Sequence, residues 1–145
     1  MKYIIAGMRD FTDWNYFKAH MALLKPYIDI DEVVSGGDKG VDYMGEYWAK
    51  EKGLKSKVFP ADWDRLGKRA GHERNKKMAD YADGLIAFWN GYSKGTKDMI
   101  KLANYYQLEG YVIRTDIPWN KRYDKEGRPE LNNLQPLYIS EIADT

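Results

Sequence analysis

Five short apolar runs recur along the chain: Tyr3-Ile4-Ile5-Ala6, Glu32-Val33-Val34-Ser35, Lys57-Val58-Phe59, Gly84 to Trp89, and Tyr111-Val112-Ile113. They are nearly continuous rather than alternating in polarity, which is the pattern of parallel strands buried on both faces. Segments with helical spacing separate them. Trp14, Phe17, Met21 and Leu24 follow Thr12, which reads as an N-cap. Val41, Met44, Gly45 and Trp48 repeat the pattern ahead of a stop at Gly53. A basic stretch predicts a helix from about Gly71 to Tyr81, with Met78 and Ala82 on its apolar face, and Met99, Ile100, Ala103 and Tyr106 mark a last one. Strands alternating with helices imply an open α/β parallel sheet of about five strands, with right-handed crossovers and helices on both faces. Past Thr115 the pattern changes. Asp116 to Pro136 is polar, holds three prolines and lacks periodicity, and Leu137-Tyr138-Ile139 predicts one short strand. The reading is therefore one domain over 1–114 and an irregular C-terminal tail over 115–145.

Composition narrows the class. The 145 residues are 43% hydrophobic and 31% charged, which suits one packed domain and not a disordered chain. No apolar run approaches the roughly 20 residues that span a bilayer, so no membrane partner is expected. The apolar start, Tyr3 to Ala6, is too short for a signal peptide. Without cysteine there is no disulfide framework, thiol nucleophile or Cys-type zinc site. A cytoplasmic protein is expected. With 23 Lys and Arg against 22 Asp and Glu, the near-neutral charge argues against nucleic acid as a partner, although Arg65, Lys68, Arg69, Arg74, Lys76 and Lys77 form one dense basic stretch.

Candidate chemistry lies where the strands end. In such sheets ligands bind beyond the carboxyl ends of the strands. The loops predicted there are rich in glycine and small polar residues: Gly7-Met8-Arg9-Asp10 after the first strand, Ser35-Gly36-Gly37-Asp38-Lys39-Gly40-Val41-Asp42 after the second, and Asn90-Gly91-Tyr92-Ser93-Lys94-Gly95-Thr96 after the fourth. Glycine at a strand-to-helix junction lets the backbone approach an anion, and the helix N-terminus offers unpaired N–H groups. For one such loop a plain tight turn is the commoner reason. Two such loops with Arg9 at one edge point to a phosphate site. The spacing is neither the P-loop nor the dinucleotide fingerprint, so no cofactor of either class is implied.

Asp42 is expected in the first turn of its helix, as a dipole partner or a ligand contact. Arg74 and Asn75 open the basic helix, and the planar guanidinium of Arg74 suits bidentate phosphate recognition. Ser93 reads as a hydroxyl donor to phosphate. His20 and His72 are not spaced as a metal pair, so no metal is expected.

Taken in order, Ala6-Gly7-Met8-Arg9-Asp10-Phe11, Ser35-Gly36-Gly37 with Gly40 and Asp42, Phe59-Pro60-Ala61-Asp62-Trp63, Ala70-Gly71 with Arg74-Asn75, and Ala87-Phe88-Trp89 with Gly91, Ser93, Gly95 and Thr96 resemble the SLOG superfamily of Rossmann-like nucleotide-binding domains. The nearest branch is the YspA/YpsA-related one, and the resemblance runs from about Lys2 to Arg114. It implies a Rossmann-like fold and a nucleotide-type ligand. Met8, Lys39 and His72 depart from that branch's usual Ser, Arg and Pro, and Met8 removes a hydroxyl donor from the first loop. The superfamily also holds the lonely-guy phosphoribohydrolases, whose active-site Arg corresponds to Arg74 and whose catalytic Glu corresponds to Met99. A thioether does no acid–base work. The resemblance therefore implies binding without that chemistry, unless Asp98, Asp42 or Glu46 substitutes.

Three functions follow as expectations. The first is sensing or sequestration of a nucleotide or nucleotide-derived signal, such as an ADP-ribose-like molecule. The second is a nucleoside-phosphate N-glycosidase with a relocated carboxylate. The third is DNA binding, by analogy with DNA-processing protein A. A homodimer or higher homo-oligomer is also expected, because Trp14, Tyr16, Phe17, Tyr43, Tyr47, Trp48, Tyr105 and Tyr106 exceed what so small a core absorbs. The tail around Trp119 to Tyr138 would complete its interface.

Overall fold

A computed structural model describes residues 1–116 and the backbone of 134–136. Its elements run β1 (Lys2–Gly7), α1 (Trp14–Leu24), β2 (Glu32–Ser35), α2 (Val41–Glu51), β3 (Lys55–Val58), α3 (Trp63–Leu66), α4 (Ala70–Tyr81), β4 (Gly84–Trp89), α5 (Lys94–Tyr105), β5 (Glu109–Arg114) and β6 (Leu134–Pro136). The sheet order is β3-β2-β1-β4-β5-β6. The first five strands are mutually parallel, with β1 registered Tyr3 to Val33 on one side and Tyr3 to Gly84 on the other. This is the open, Rossmann-like α/β architecture expected from the pattern of apolar runs.

Alternation along the central strands divides the core into two layers. Tyr3, Ile5, Ile86 and Phe88 face α1 and α2, meeting Phe17, Met21, Val41 and Met44. Ile4, Ala6, Leu85 and Ala87 face α4 and α5, meeting Met78, Met99, Ile100 and Ala103. The chain winds outward from β1 to β3, then crosses back to β4 and out to β5. Strand order thus reverses between β1 and β4, and a crevice opens beyond their carboxyl ends, at Gly7 and Trp89.

Four details differ from the sequence reading. Asp13, not Thr12, caps α1, accepting the Tyr16 N–H at 3.0 Å; a carboxylate one residue closer reaches the free N–H of the first turn. β3 is an exposed edge rather than a buried strand, because no strand among the described residues pairs beyond it, and Lys55 and Lys57 there discourage further pairing. α3 is a single turn that no periodicity announces, capped by Asp62, which accepts from Arg65 N. The tail is not wholly irregular: Leu134–Pro136 adds an antiparallel strand to β5, pairing Val112 with Gln135. The strand expected at Leu137-Tyr138-Ile139 lies outside the described residues, as does the interface segment expected around Trp119 to Tyr138 apart from that β6 backbone.

Candidate functional site

The crevice at the β1–β4 switch is a cleft of about 400 Å3. Its floor includes Ala6, Gly7, Met78 and Met99, and its walls come from the β2–α2 loop, α3, the start of α4 and the start of α5. Of the residues singled out in the sequence, it gathers Gly7, Arg9, Asp42, Arg74, Asn75, Ser93, Gly95 and Thr96. Met8, Ser35, Gly36, Gly37, Gly40 and Gly91 do not line it.

The residues left out are structural. Met8 is buried, its carbonyl accepting the Val41 N–H at 3.2 Å. Gly40, the residue before α2, has φ +74°, and a Cβ there would collide with the Met8 carbonyl. Ser35 donates to Glu46 Oε2 at 2.8 Å and accepts from Gly37 N at 3.0 Å. A Cβ on Gly36 would stand 2.5 Å from Arg74 Nη1. At Gly91 one would stand 2.9 Å from Arg114 Nη2, the guanidinium that covers the Trp89 ring.

Arg74 lines the cleft yet is largely committed elsewhere. It is 9% exposed and donates through Nη1 to the Gly36 carbonyl at 2.5 Å, through Nη2 to Asp38 Oδ2 at 3.1 Å, and through Nε to Asn75 Oδ1 at 3.1 Å. One side chain from α4 thereby ties down the β2–α2 loop. Asn75 passes the connection on, donating to Asp98 Oδ2 at 3.0 Å and to the Gly95 carbonyl. His72 Nδ1 lies 2.8 Å from the other Asp98 oxygen. The network spans from the β2–α2 loop to α5 beneath the cleft.

Asp42 is nearly enclosed in the same wall. Burial pushes its carboxyl up to about 7; neighbouring Asp38 and Glu46 act the same way, while the Asp38 N–H and the Arg74 guanidinium oppose it. Asp42 thus sits where a proton is held or released near neutrality.

The opposite wall is the α5 N-terminus. Asn90 Oδ1 accepts from the N–H groups of Tyr92 and Ser93, both at 2.9 Å, forming a tight turn. Ser93 is the helix N-cap: its Oγ accepts from Thr96 N and lies 3.0 Å from Thr96 Oγ1. Its hydroxyl, expected to face a phosphate, serves the helix first. Gly95 has open space where a Cβ would be.

Arg9, Lys68 and Lys94 line the cleft, are exposed, and have no ion-pair partner among the described residues. The free positive charge therefore comes from these three rather than from Arg74. Lys68 and Lys94 were missed as site residues: a lysine exposed in a short turn or at the start of a helix carries no local signal of what it faces. Trp63, His72 and Asp98 also line the cleft, and only the tertiary arrangement brings them there.

Residues 1–66 match the family model described as "YAcAr: YspA, cpYpsA-related SLOG family". The Gene 61 protein of Mycobacterium phage D29 is 36% identical over 77 residues, which is 49% of this chain and 62% of that protein. The chain thus spans less than two thirds of the length of that relative. No solved structure matches the chain.

Proposed function

From the match of residues 1–66 to the SLOG family model, we propose that the chain is a SLOG domain whose β1–β4 cleft binds a nucleotide or nucleotide-derived signalling ligand by its phosphate, to sense or sequester it. The observation that carries this reading is the set of three cations without an ion-pair partner among the described residues, Arg9, Lys68 and Lys94, around a cleft at the topological switch point. The α5 N-terminus beside them adds backbone N–H groups and a partial positive charge. Arg74 contributes by holding the loop in shape. Titration calorimetry with nucleoside monophosphates and ADP-ribose tests the reading. Saturable binding that weakens in Arg9→Ala and Lys94→Ala is expected; no binding of any of these probes would refute it.

A second reading, N-glycosidic hydrolysis of a nucleoside phosphate, draws support from Asp42, a carboxyl near neutrality in the cleft wall. Met99 fills the position that the lonely-guy enzymes give to Glu, and Asp42 is the cleft carboxylate that burial raises toward neutrality. Free base released from a nucleoside monophosphate by the parent, and lost in Asp42→Asn, is the expected result on this reading. Binding without release leaves the sensor.

Assembly and location are part of the proposal. Of the aromatics expected at an interface, Phe17 is buried in the core, while Tyr43 and Tyr47 stand exposed one turn apart on α2 and Tyr105 is exposed on α5. We propose a homodimer packed through the α2 face, in a cytoplasmic protein. Light scattering at rising concentration is expected to give twice the chain mass. No helix among the described residues is long and apolar enough to cross a membrane.

A further inference from the structure

The cleft is polar and charged except at its floor and on one wall, where a single large ring stands. Trp63 opens the one-turn helix α3, and its side chain remains 51% exposed. Among the described residues lining the cleft it is the one Trp, Tyr or Phe. The other described tryptophans have their faces occupied or packed. Trp14 stacks on Phe17 with centroids 5.4 Å apart, Trp48 packs against the α1–α2 core, and Trp89 is covered by Arg114. Trp63 has no ring or cation partner among the described residues. Gly71 of α4 lies by the benzo end of the ring, where an added Cβ would stand 3.4 Å from Cη2 and 4.0 Å from Cζ2. Half-exposed and without a ring or cation partner among the described residues, the indole leaves flat apolar surface at the cleft.

The holding is built locally. Asp62 caps α3 through Arg65 N at 3.2 Å and receives Arg65 Nε at 3.0 Å, so the turn bearing Trp63 is pinned at its start. Lys68, in the short turn that follows α3, lines the cleft from the same segment. One stretch of chain therefore presents a flat apolar face and a positive charge to the same space.

We propose that Trp63 is the stacking wall for a nucleobase, so that the ligand of this cleft is a base-bearing phosphate and not a phosphosugar alone. The inference rests on the phosphate-cleft reading above. Every nucleobase has a π-face to lay against an indole, and such stacking tolerates differences between bases. Selectivity in this wall is for a flat heterocycle over none, with only modest preference among bases.

Binding of AMP and of ribose 5-phosphate, measured by calorimetry on the full chain, tests it. The parent is expected to prefer AMP. Trp63→Ala is expected to weaken AMP on the order of 10- to 100-fold and leave ribose 5-phosphate unchanged, while Trp63→Phe keeps most of the preference. Indole fluorescence gives a second readout that needs no alanine variant: AMP, but not ribose 5-phosphate, should quench a component that Trp63→Phe lacks. Equal binding of the two probes by the parent, or a folded Trp63→Ala that binds AMP as the parent does, overturns the stacking wall while the phosphate reading stands. A parent that binds neither probe overturns both.

Discussion

Two glycine-rich loops end at the same edge of the sheet and look alike in sequence, yet they are built differently. The β2–α2 loop is closed on itself: Gly36 makes room for Arg74, Gly40 passes the Met8 backbone at φ +74°, and Arg74 and Asp38 are paired. The stretch after β4 is only partly closed: Gly91 packs against Arg114, whereas Gly95, the second residue of α5, has free space where a Cβ would be and lines the cleft. Glycine serves close packing of protein on protein in the first loop and at Gly91. At Gly95 it leaves room for something else. A count of glycines cannot separate these uses, because both need the same missing side chain.

The contrast is broken most readily at Gly40. Gly40→Ala forces a side chain into a left-handed conformation and against backbone, and should cost about 3–5 kcal/mol, read as a fall in the urea midpoint. An unchanged midpoint would mean the first loop is not closed. Arg74→Ala comes next. Removing the guanidinium leaves Asp38 and the Gly36 carbonyl without their partner, a loss of about 3 kcal/mol of stability in addition to any effect on ligand. Arg74→Lys should recover only part of it, since an ammonium cannot span the same acceptors.

Asp42 gives the closed loop a pH signature. Its carboxyl is raised in the folded chain, so the folded state holds the proton more tightly than the unfolded one. The stabilisation is complete below the unfolded value near 4 and is lost as pH rises through about 7. Stability of the parent should thus decline by about 4 kcal/mol between pH 4 and pH 8 from this group. Asp42→Asn should remove that decline, and denaturant midpoints of the two proteins across this range would decide it. The smallest effect on stability is expected at Gly95, at the start of α5. Gly95→Ala should shift stability by no more than about 0.5 kcal/mol, while weakening AMP by about 1 kcal/mol as the methyl holds the anion off the backbone. Equal stability and equal AMP binding would show that nothing approaches Gly95.

Much of the fold was legible in local pattern. The runs at Glu32–Ser35 and Gly84–Trp89 coincide with β2 and β4, and Gly53 does stand beyond α2 at φ +69°. The edge character of β3 was not legible, because Lys57-Val58-Phe59 reads as apolar without its neighbours. For the candidate site, the residue pattern pointed to the edge of the sheet where the cleft opens and to eight of the residues that line it. Arg74 and Ser93, read there as phosphate contacts, are employed first by the protein itself.

The two-layered parallel sheet, and the edge at which its loops collect, were already written in the order of residues, since burial period and turn residues are local properties that survive without knowledge of the partners. Which charges remain free is settled only in the folded chain. Arg74 meets Asp38 across 36 residues of chain, and His72 meets Asp98 across 26. Among the described residues, Arg9, Lys68 and Lys94 are left without an ion-pair partner. Pairing is a property of distance in space, and a charged side chain carries no local mark of whether its partner will be a neighbour, the solvent or a ligand.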